Sequence, residues 1–321
     1  MRGDLVLLAG QLVQMFLVLL LAPGVSGIVR VVKARFMRRR GAPVIQPYRD
    51  IAKLMRKETV LAFSASRLFR IAPYAIFAFT WVAAALVPTF ASGLMFNWAA
   101  DAVALVAMLG AARMFLALAG LDIGTSFGGI GASREMLVAS LAEPAMLLVV
   151  LTIALFAGTT RLPGVANFLL TTPLSIRVSM ALALLALVVV AVAENARIPV
   201  DKPATHLELT MVHEAMVLEY SGRHLALIEW AAAIKLVLYI SLIVCLFLPF
   251  GMAPANAGLA EWGLGLCVYV VKVAAAAVLL GIWEVSIAKM RVFRVPQFLG
   301  GAFVFAFLAI LLAFVTAAVS R

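Results

Sequence analysis

The stretch Glu194–Glu229, ENARIPVDKPATHLELTMVHEAMVLEYSGRHLALIE, decides how the whole chain is read, because it is polar where its surroundings are not. It carries six of the fifteen acidic residues (Glu194, Asp201, Glu208, Glu214, Glu219 and Glu229) and all three histidines, His206, His213 and His224. On either side lie apolar runs long enough to cross a bilayer, near 177–195 and 225–249. A hydrated loop between two such runs needs far fewer ionisable groups. We therefore read this stretch as the functional centre rather than as a solvated connection.

Outward from it, the chain is 65% hydrophobic and 13% charged, with a mean hydropathy of +1.11. A soluble core has no use for that much apolar surface, so the composition predicts a polytopic membrane protein. A spanning helix needs about 20 apolar residues. Segments near 5–29, 71–91, 99–121, 136–158, 177–195, 225–249, 262–283 and 298–319 meet that length. The expected fold is all-α: about eight transmembrane helices forming a single integral membrane domain over residues 1–321. The first apolar run is longer than a signal-peptide core and a basic cluster follows it, so it reads as a helix retained in the membrane.

Basic residues set the orientation. The net charge of +11 would suit a nucleic-acid binder, but twelve of the 26 Lys and Arg lie between Arg30 and Arg70, directly after the first span. Segments 30–70, 122–135, 194–224 and 284–297 hold nineteen Lys and Arg, against four in the intervening and terminal segments. By the positive-inside rule the four basic segments are cytoplasmic. An even number of spans then leaves both termini outside. No stretch remains for a soluble domain that would present the basic patch to nucleic acid.

Within the first cytoplasmic segment, Tyr48–Val60 places Tyr48, Ile51, Ala52 and Met55 on one helical face, with Arg49, Asp50, Lys53, Arg56 and Lys57 on the others. That pattern predicts an amphipathic helix in the membrane interface, suited to lipid or to a soluble partner. The second segment, GLDIGTSFGGIGASREM, reads as a Gly-rich loop; it neither follows a strand nor carries the lysine of a phosphate cradle. The opposite connections, around 92–98, 159–175 and 250–260, are nearly uncharged and read as plain links.

Ionisable residues inside spans cost about 2.5–3.5 kcal/mol at a helix centre on insertion scales and mark ion or proton routes. Arg113, Glu143, Glu229, Lys235 and Lys272 qualify by position. Glu143 precedes Pro144, whose missing N–H frees a carbonyl and can open the helix locally. It is either a proton relay or the partner of a buried cation such as Arg113. Glu229 and Lys235 are six residues apart on one helix and point to different sides, so each needs a partner elsewhere.

In the central stretch, Glu208–Glu219 reads as a short helix with Thr205 as cap, placing His206, Thr210, His213 and Val217 on one face beside Glu214. His213-Glu214 begins like a zinc-binding HExxH, but position 217 is Val, and no hydrolytic nucleophile set is present. Two cysteines, Cys245 and Cys267, are too few for an iron–sulfur cluster. What remains is a chain of carboxylates and imidazoles beside the membrane, groups able to pass protons.

The same stretch closely resembles the membrane subunit shared by formate hydrogenlyase and hydrogenase-4, a family related to the quinone-site membrane subunit of respiratory complex I. RRRGAPVIQPYRDIAKLMRKE, LDIGTSFGGIGASREM and IAKMRVFRVPQFLG agree as well, in matching order from about residue 30 to 300. The complex I branch shares a sparser core, Glu194, Arg197, Pro199, Asp201, Pro203 and Glu219-Tyr220-Ser221-Gly222. It generally lacks the ATHLELTMVHEAM and GASREM wording.

The resemblance implies a membrane anchor and coupling subunit with no complete active site of its own, in the inner membrane of a prokaryote. Its partners would be hydrogenase large and small subunits, an iron–sulfur subunit and antiporter-like membrane subunits. The nickel–iron centre and iron–sulfur clusters would lie in those partners. Proton-pathway residues would be Glu143, Glu194, Asp201, Glu208, His213, Glu214, Glu219 and Glu229. Arg38, Arg39, Arg49, Asp50, Arg134, Glu135, Arg197, Arg223, Arg291 and Arg294 would form ion pairs or hold the partner subunits. The rival readings are a complex I quinone-site subunit and a stand-alone transporter; against the second, no internal repeat is evident.

Overall fold

The computed structural model describes residues 2–171, 178–200, 212–254, 257–288, 290 and 294–319, and among these the chain forms eleven α-helices. They are α1 (Arg2–Phe36), α2 (Gln46–Arg56), α3 (Arg67–Leu86), α4 (Ala102–Asp122), α5 (Ser126–Ala157), α6 (Leu162–Thr171), α7 (Val178–Glu194), α8 (His213–Val217), α9 (Gly222–Phe247), α10 (Leu259–Ser286) and α11 (Val295–Val319). Seven (α1, α3, α4, α5, α9, α10 and α11) are long and apolar enough to span a membrane. The eighth expected span is α7, an apolar helix of 17 residues that begins where the described residues resume. At the α-helical rise it is about 25 Å long. This is an all-α polytopic membrane protein.

α9 is the most enclosed span, packed on α1 and α3, while α5, α7 and α11 form a second group joined to the first through α4. Alanines line the contacts: Ala72, Ala83, Ala117, Ala142, Ala186, Ala226 and Ala306 are fully or almost fully buried. Lipid tails are as apolar as leucine, so helices in a bilayer associate by close packing, and small residues allow it.

Prolines inside two spans create bonds between elements. Pro23 has no N–H for the carbonyl of Leu19, and Trp230 Nε1 of α9 donates to that oxygen at 3.2 Å. Pro73 likewise frees Phe69, whose carbonyl receives the Tyr220 hydroxyl at 3.0 Å. In each case a carbonyl that hydrocarbon would leave unsatisfied ties one helix to another segment.

Several expectations from sequence change. Ser126–Glu135, read as loop, is the start of α5, capped by Thr125 Oγ1 accepting from Gly128 N–H. Only Gly124 turns the chain, at φ +73. Gly128 instead permits close approach, since a Cβ there would collide with the Gly120 carbonyl of α4. The helix expected over Glu208–Glu219 is confined, among the described residues, to α8; residues 201–211, with Thr205, His206 and Thr210, lie outside them. The three plain links are not plain. Residues 90–92 bond to Ala253, and residues 100–102 bond to Thr160 and Leu162, stitching one end of the bundle closed.

α2 is the amphipathic helix read from sequence. Its Tyr48, Ile51, Leu54 and Met55 are half-buried, and the helix lies against α1 and α9, with the Tyr48 hydroxyl bonded to the Leu20 carbonyl.

Candidate functional site

Arg113 stands near the middle of α4 and organises the buried charge of the bundle. It approaches Glu135 Oε1 through Nε at 3.3 Å, Glu143 Oε1 through Nη1 at 3.4 Å, and Glu194 Oε2 through Nη2. Lys235 Nζ of α9 reaches the same Glu194 oxygen at 2.9 Å. Five ionisable side chains from four helices thus converge, two cations facing three carboxylates. Arg113, Glu135 and Glu194 are 5%, 8% and 7% exposed. Ion pairs this deep persist only when each charge has a partner, because an unpaired buried charge costs several kcal/mol.

The sequence explains the convergence only in part. Glu135 and Glu143 are two turns apart on α5 and so share a face. Glu194 is the last residue of α7, after which Asn195 and Ala196 leave the helix, Ala196 at a left-handed φ of +48. Gly110, one turn before Arg113, leaves Glu143 its space: a Cβ there would lie 3.4 Å from Glu143 Oε1. A cavity of about 80 Å³ opens beside the cluster, lined by Arg113, Glu135, Glu194, Asn195, His213 and Lys235 among others. A water needs roughly 10–15 Å³ by this measure, so several fit.

A second buried cluster sits where α1, α10 and the segment after α7 meet. Glu284, 4% exposed, pairs with Lys33 at 2.5 Å and with Arg197 at 3.2 Å. Close by, Met290 N–H donates to the Pro199 carbonyl at 3.0 Å. The two clusters bracket residues 194–200, which lead into the acidic stretch. Sequence reasoning missed Lys33 and Glu284. The only signal was a single acid set among apolar residues at the end of a span.

The Glu219-Tyr220-Ser221-Gly222 motif is an anchor. Tyr220 stacks on Phe69 with ring centroids 3.9 Å apart, and its buried hydroxyl is held protonated well above the usual tyrosine range by burial and by the charge of Asp122. Ser221 Oγ both donates to Val60 C=O and accepts from Val60 N–H, each at 2.8 Å. Gly222 turns at φ +54 against the Glu58 carbonyl, where a Cβ would collide. The motif fixes the start of α9 and leaves Glu219 exposed.

The remaining candidates are dispersed. Glu143 and Glu194 share the Arg113 cluster; Glu135, read as an interface residue, joins them there. His213 borders the cavity and Glu214 follows it on α8. Glu229 points away, exposed on α9. Asp201, Glu208 and Arg291 lie outside the described residues. Arg38, Arg39, Arg49, Arg223 and Arg294 are exposed and Arg134 is half-buried; Asp50 accepts from Gln46 at 2.8 Å and lies 3.8 Å from Arg30. Lys272, the other charged span residue, donates to the Leu248 and Phe250 carbonyls and so caps the end of α9.

Eight apolar helices, an amphipathic helix beside the first, and a buried charge cluster at the mouth of an acidic stretch define a class of membrane subunit. The chain belongs to the NADH dehydrogenase family, whose profile matches residues 10–317. It is 38% identical over 292 residues to hydrogenase-4 component C of Escherichia coli (strain K12), covering 90% of each chain. It is 32% identical over 299 residues to formate hydrogenlyase subunit 4 of the same organism, covering 93% of this chain and 96% of that one. The fold matches a chain in the structure of the membrane-bound sulfane sulfur reductase, an archaeal respiratory membrane complex, with a TM-score of 0.82 over 96% of this chain and 99% of that chain, at 18% identity.

Proposed function

We propose that this chain is the membrane anchor and proton-coupling subunit of a multisubunit energy-converting nickel–iron hydrogenase of the formate hydrogenlyase or hydrogenase-4 type. Similarity over nine-tenths of hydrogenase-4 component C supports membership of an energy-converting membrane complex. The basic segments face the cytoplasm, both termini lie outside, and the nickel–iron centre and iron–sulfur clusters reside in docked soluble subunits. The observation that carries the coupling role is the Glu194 carboxylate shared by Arg113 and Lys235 beside a cavity large enough for water.

In this reading, electron transfer in the docked subunits changes the field at Asp201, Glu208, Glu214 and Glu219. A proton taken up there passes by His213 and water in the cavity to Glu194. Arg113 and Lys235 hold that carboxylate and stabilise its charged form. Glu143, its side chain 40% exposed on α5, hands the proton to neighbouring membrane subunits. Glu229 offers a second exposed carboxylate on α9. The exposed arginines hold the soluble partners.

The family description favours one other reading, a quinone-site subunit of an NADH:quinone oxidoreductase. Purifying the native complex in mild detergent through a tag on this chain separates the two. Co-purifying nickel with hydrogen evolution from a reduced dye supports the hydrogenase. Flavin-bearing subunits with inhibitor-sensitive quinone reduction and no nickel would overturn it.

A further inference from the structure

α3 carries a continuous exposed stripe on the side away from the buried cluster. Arg67 and Arg70 stand at its start, followed by Ile71, Tyr74, Ala78 and Val82 at helical spacing. Ile71 is 58% exposed, Tyr74 54% and Val82 41%. The first turn of α9 packs beside the basic end of this stripe. There His224 meets Tyr74 edge-on with ring centroids 5.6 Å apart, and the charges of Arg70 and Arg223 both act on the His224 ring. Two guanidiniums from different helices therefore converge on one imidazole.

Nothing in the chain neutralises them. Among the described residues neither Arg70 nor Arg223 has a carboxylate within ion-pair distance, and the nearby Asp122 is engaged by the Ser66 N–H at 2.9 Å. His224 is 8% exposed, yet its Nδ1 has no hydrogen-bond partner among the described residues. The N-cap residue of α9, Ser221, spends its hydroxyl on Val60 and caps no N–H of the helix. Uncapped N–H groups, two arginines and an unpartnered imidazole all favour an anion. The apolar stripe running on along α3 favours one that carries hydrocarbon.

We propose that the α3–α9 groove binds the phosphate headgroup of an anionic phospholipid, with Arg70 and Arg223 on the phosphate and an acyl chain along Ile71, Tyr74 and Val82. Basic pockets between spans on the cytoplasmic side are suited to such headgroups.

The test is native mass spectrometry of the delipidated full chain in detergent, titrated with phosphatidylglycerol, phosphatidylcholine or inorganic phosphate. Phosphatidylglycerol should bind at least about tenfold more tightly than phosphatidylcholine. Arg70→Gln and Arg223→Gln should each remove most of that preference, while Arg49→Gln, an equal charge change on α2, should leave it intact. Arg70→Lys should retain part of it, which separates loss of charge from loss of fold. Equal losses in all three Gln variants would mean diffuse attraction to a basic face and would overturn the site. Tight binding of inorganic phosphate that phosphatidylglycerol does not displace would reassign the groove to a soluble anion and overturn the lipid.

Discussion

Lys235 Nζ lies 2.9 Å from Glu194 Oε2, inside a bundle where neither side chain meets bulk solvent freely. The contact joins α9 to the end of α7, and Arg113 holds the same oxygen from α4. Removing Lys235 alone leaves a buried carboxylate with one cation fewer. Lys235→Met should therefore destabilise the chain by about 3–5 kcal/mol, the usual cost of breaking a buried pair. The double variant with Glu194→Gln should recover much of the loss. Thermal unfolding of the four proteins in detergent gives the coupling directly, and additive losses would mean that the two residues do not share their charge.

Tyr220 and Pro73 form a second testable pair. Tyr220→Phe leaves the Phe69 carbonyl without a donor, at a cost of about 1–3 kcal/mol. Pro73→Ala restores an N–H in the turn that faces that carbonyl, so Tyr220→Phe should be nearly neutral in its presence. The pH dependence has a definite sign. A tyrosine whose folded pKa is raised contributes stability that is complete below its unfolded value near 10 and is lost as the pH rises beyond it. Tyr220→Phe should abolish that part of the alkaline loss seen by pH-dependent unfolding.

Glu143 touches Arg113 at 3.4 Å but keeps a side chain 40% exposed, so its pairing contributes little to stability. Glu143→Gln should shift unfolding by less than about 1 kcal/mol and leave the complex assembled. Proton transfer coupled to hydrogen evolution should fall severalfold. Full coupling in this variant, measured in proteoliposomes with a pH-sensitive dye, would remove Glu143 from the pathway.

Gly222 sits at φ +54 with the Glu58 carbonyl where a Cβ would be. Gly222→Ala meets both a strained backbone and a collision, which together cost on the order of 1–3 kcal/mol. Low yield and a lowered unfolding temperature are expected, along with faster proteolysis between α2 and α3. An unchanged cleavage rate there would show that the Val60–Ser221 clasp does not depend on this turn.

Glu284 ties Lys33 to Arg197 across three elements. Glu284→Gln should loosen residues 194–200, and hydrogen exchange at Met290, whose N–H is bonded to Pro199, should accelerate while the middle of α9 stays protected. Unaltered exchange at Met290 would mean that the segment is held by its backbone alone.

Much of this was legible in the residues. Arg113, Glu143 and Lys235 declared themselves as charges in apolar runs, and α2 through the spacing of Tyr48, Ile51 and Met55. What escaped was pairing between distant segments. Nothing local says that Glu135 and Glu194 meet at Arg113, or that Lys33 meets Glu284. Gly128 and Gly131 read as a loop because glycine weakens helices by about 1 kcal/mol. Packing overrides that propensity, since only glycine lets α5 approach Gly120 on α4 and Ala215 and Met216 on α8. Tyr220 looked like part of a motif, and its role became visible only with Pro73 in place.

The stitched end of the bundle has a mechanical consequence. Backbone bonds join Phe90 and Ser92 to Ala253, and Ala100 and Ala102 to Leu162 and Thr160, so the connecting segments there cannot slide apart without breaking hydrogen bonds. At the other end the helices are held mainly by side-chain charges that respond to protonation. Any rearrangement triggered at Glu194 or Glu284 is therefore levered about a fixed fulcrum, and grows with distance from the stitched end.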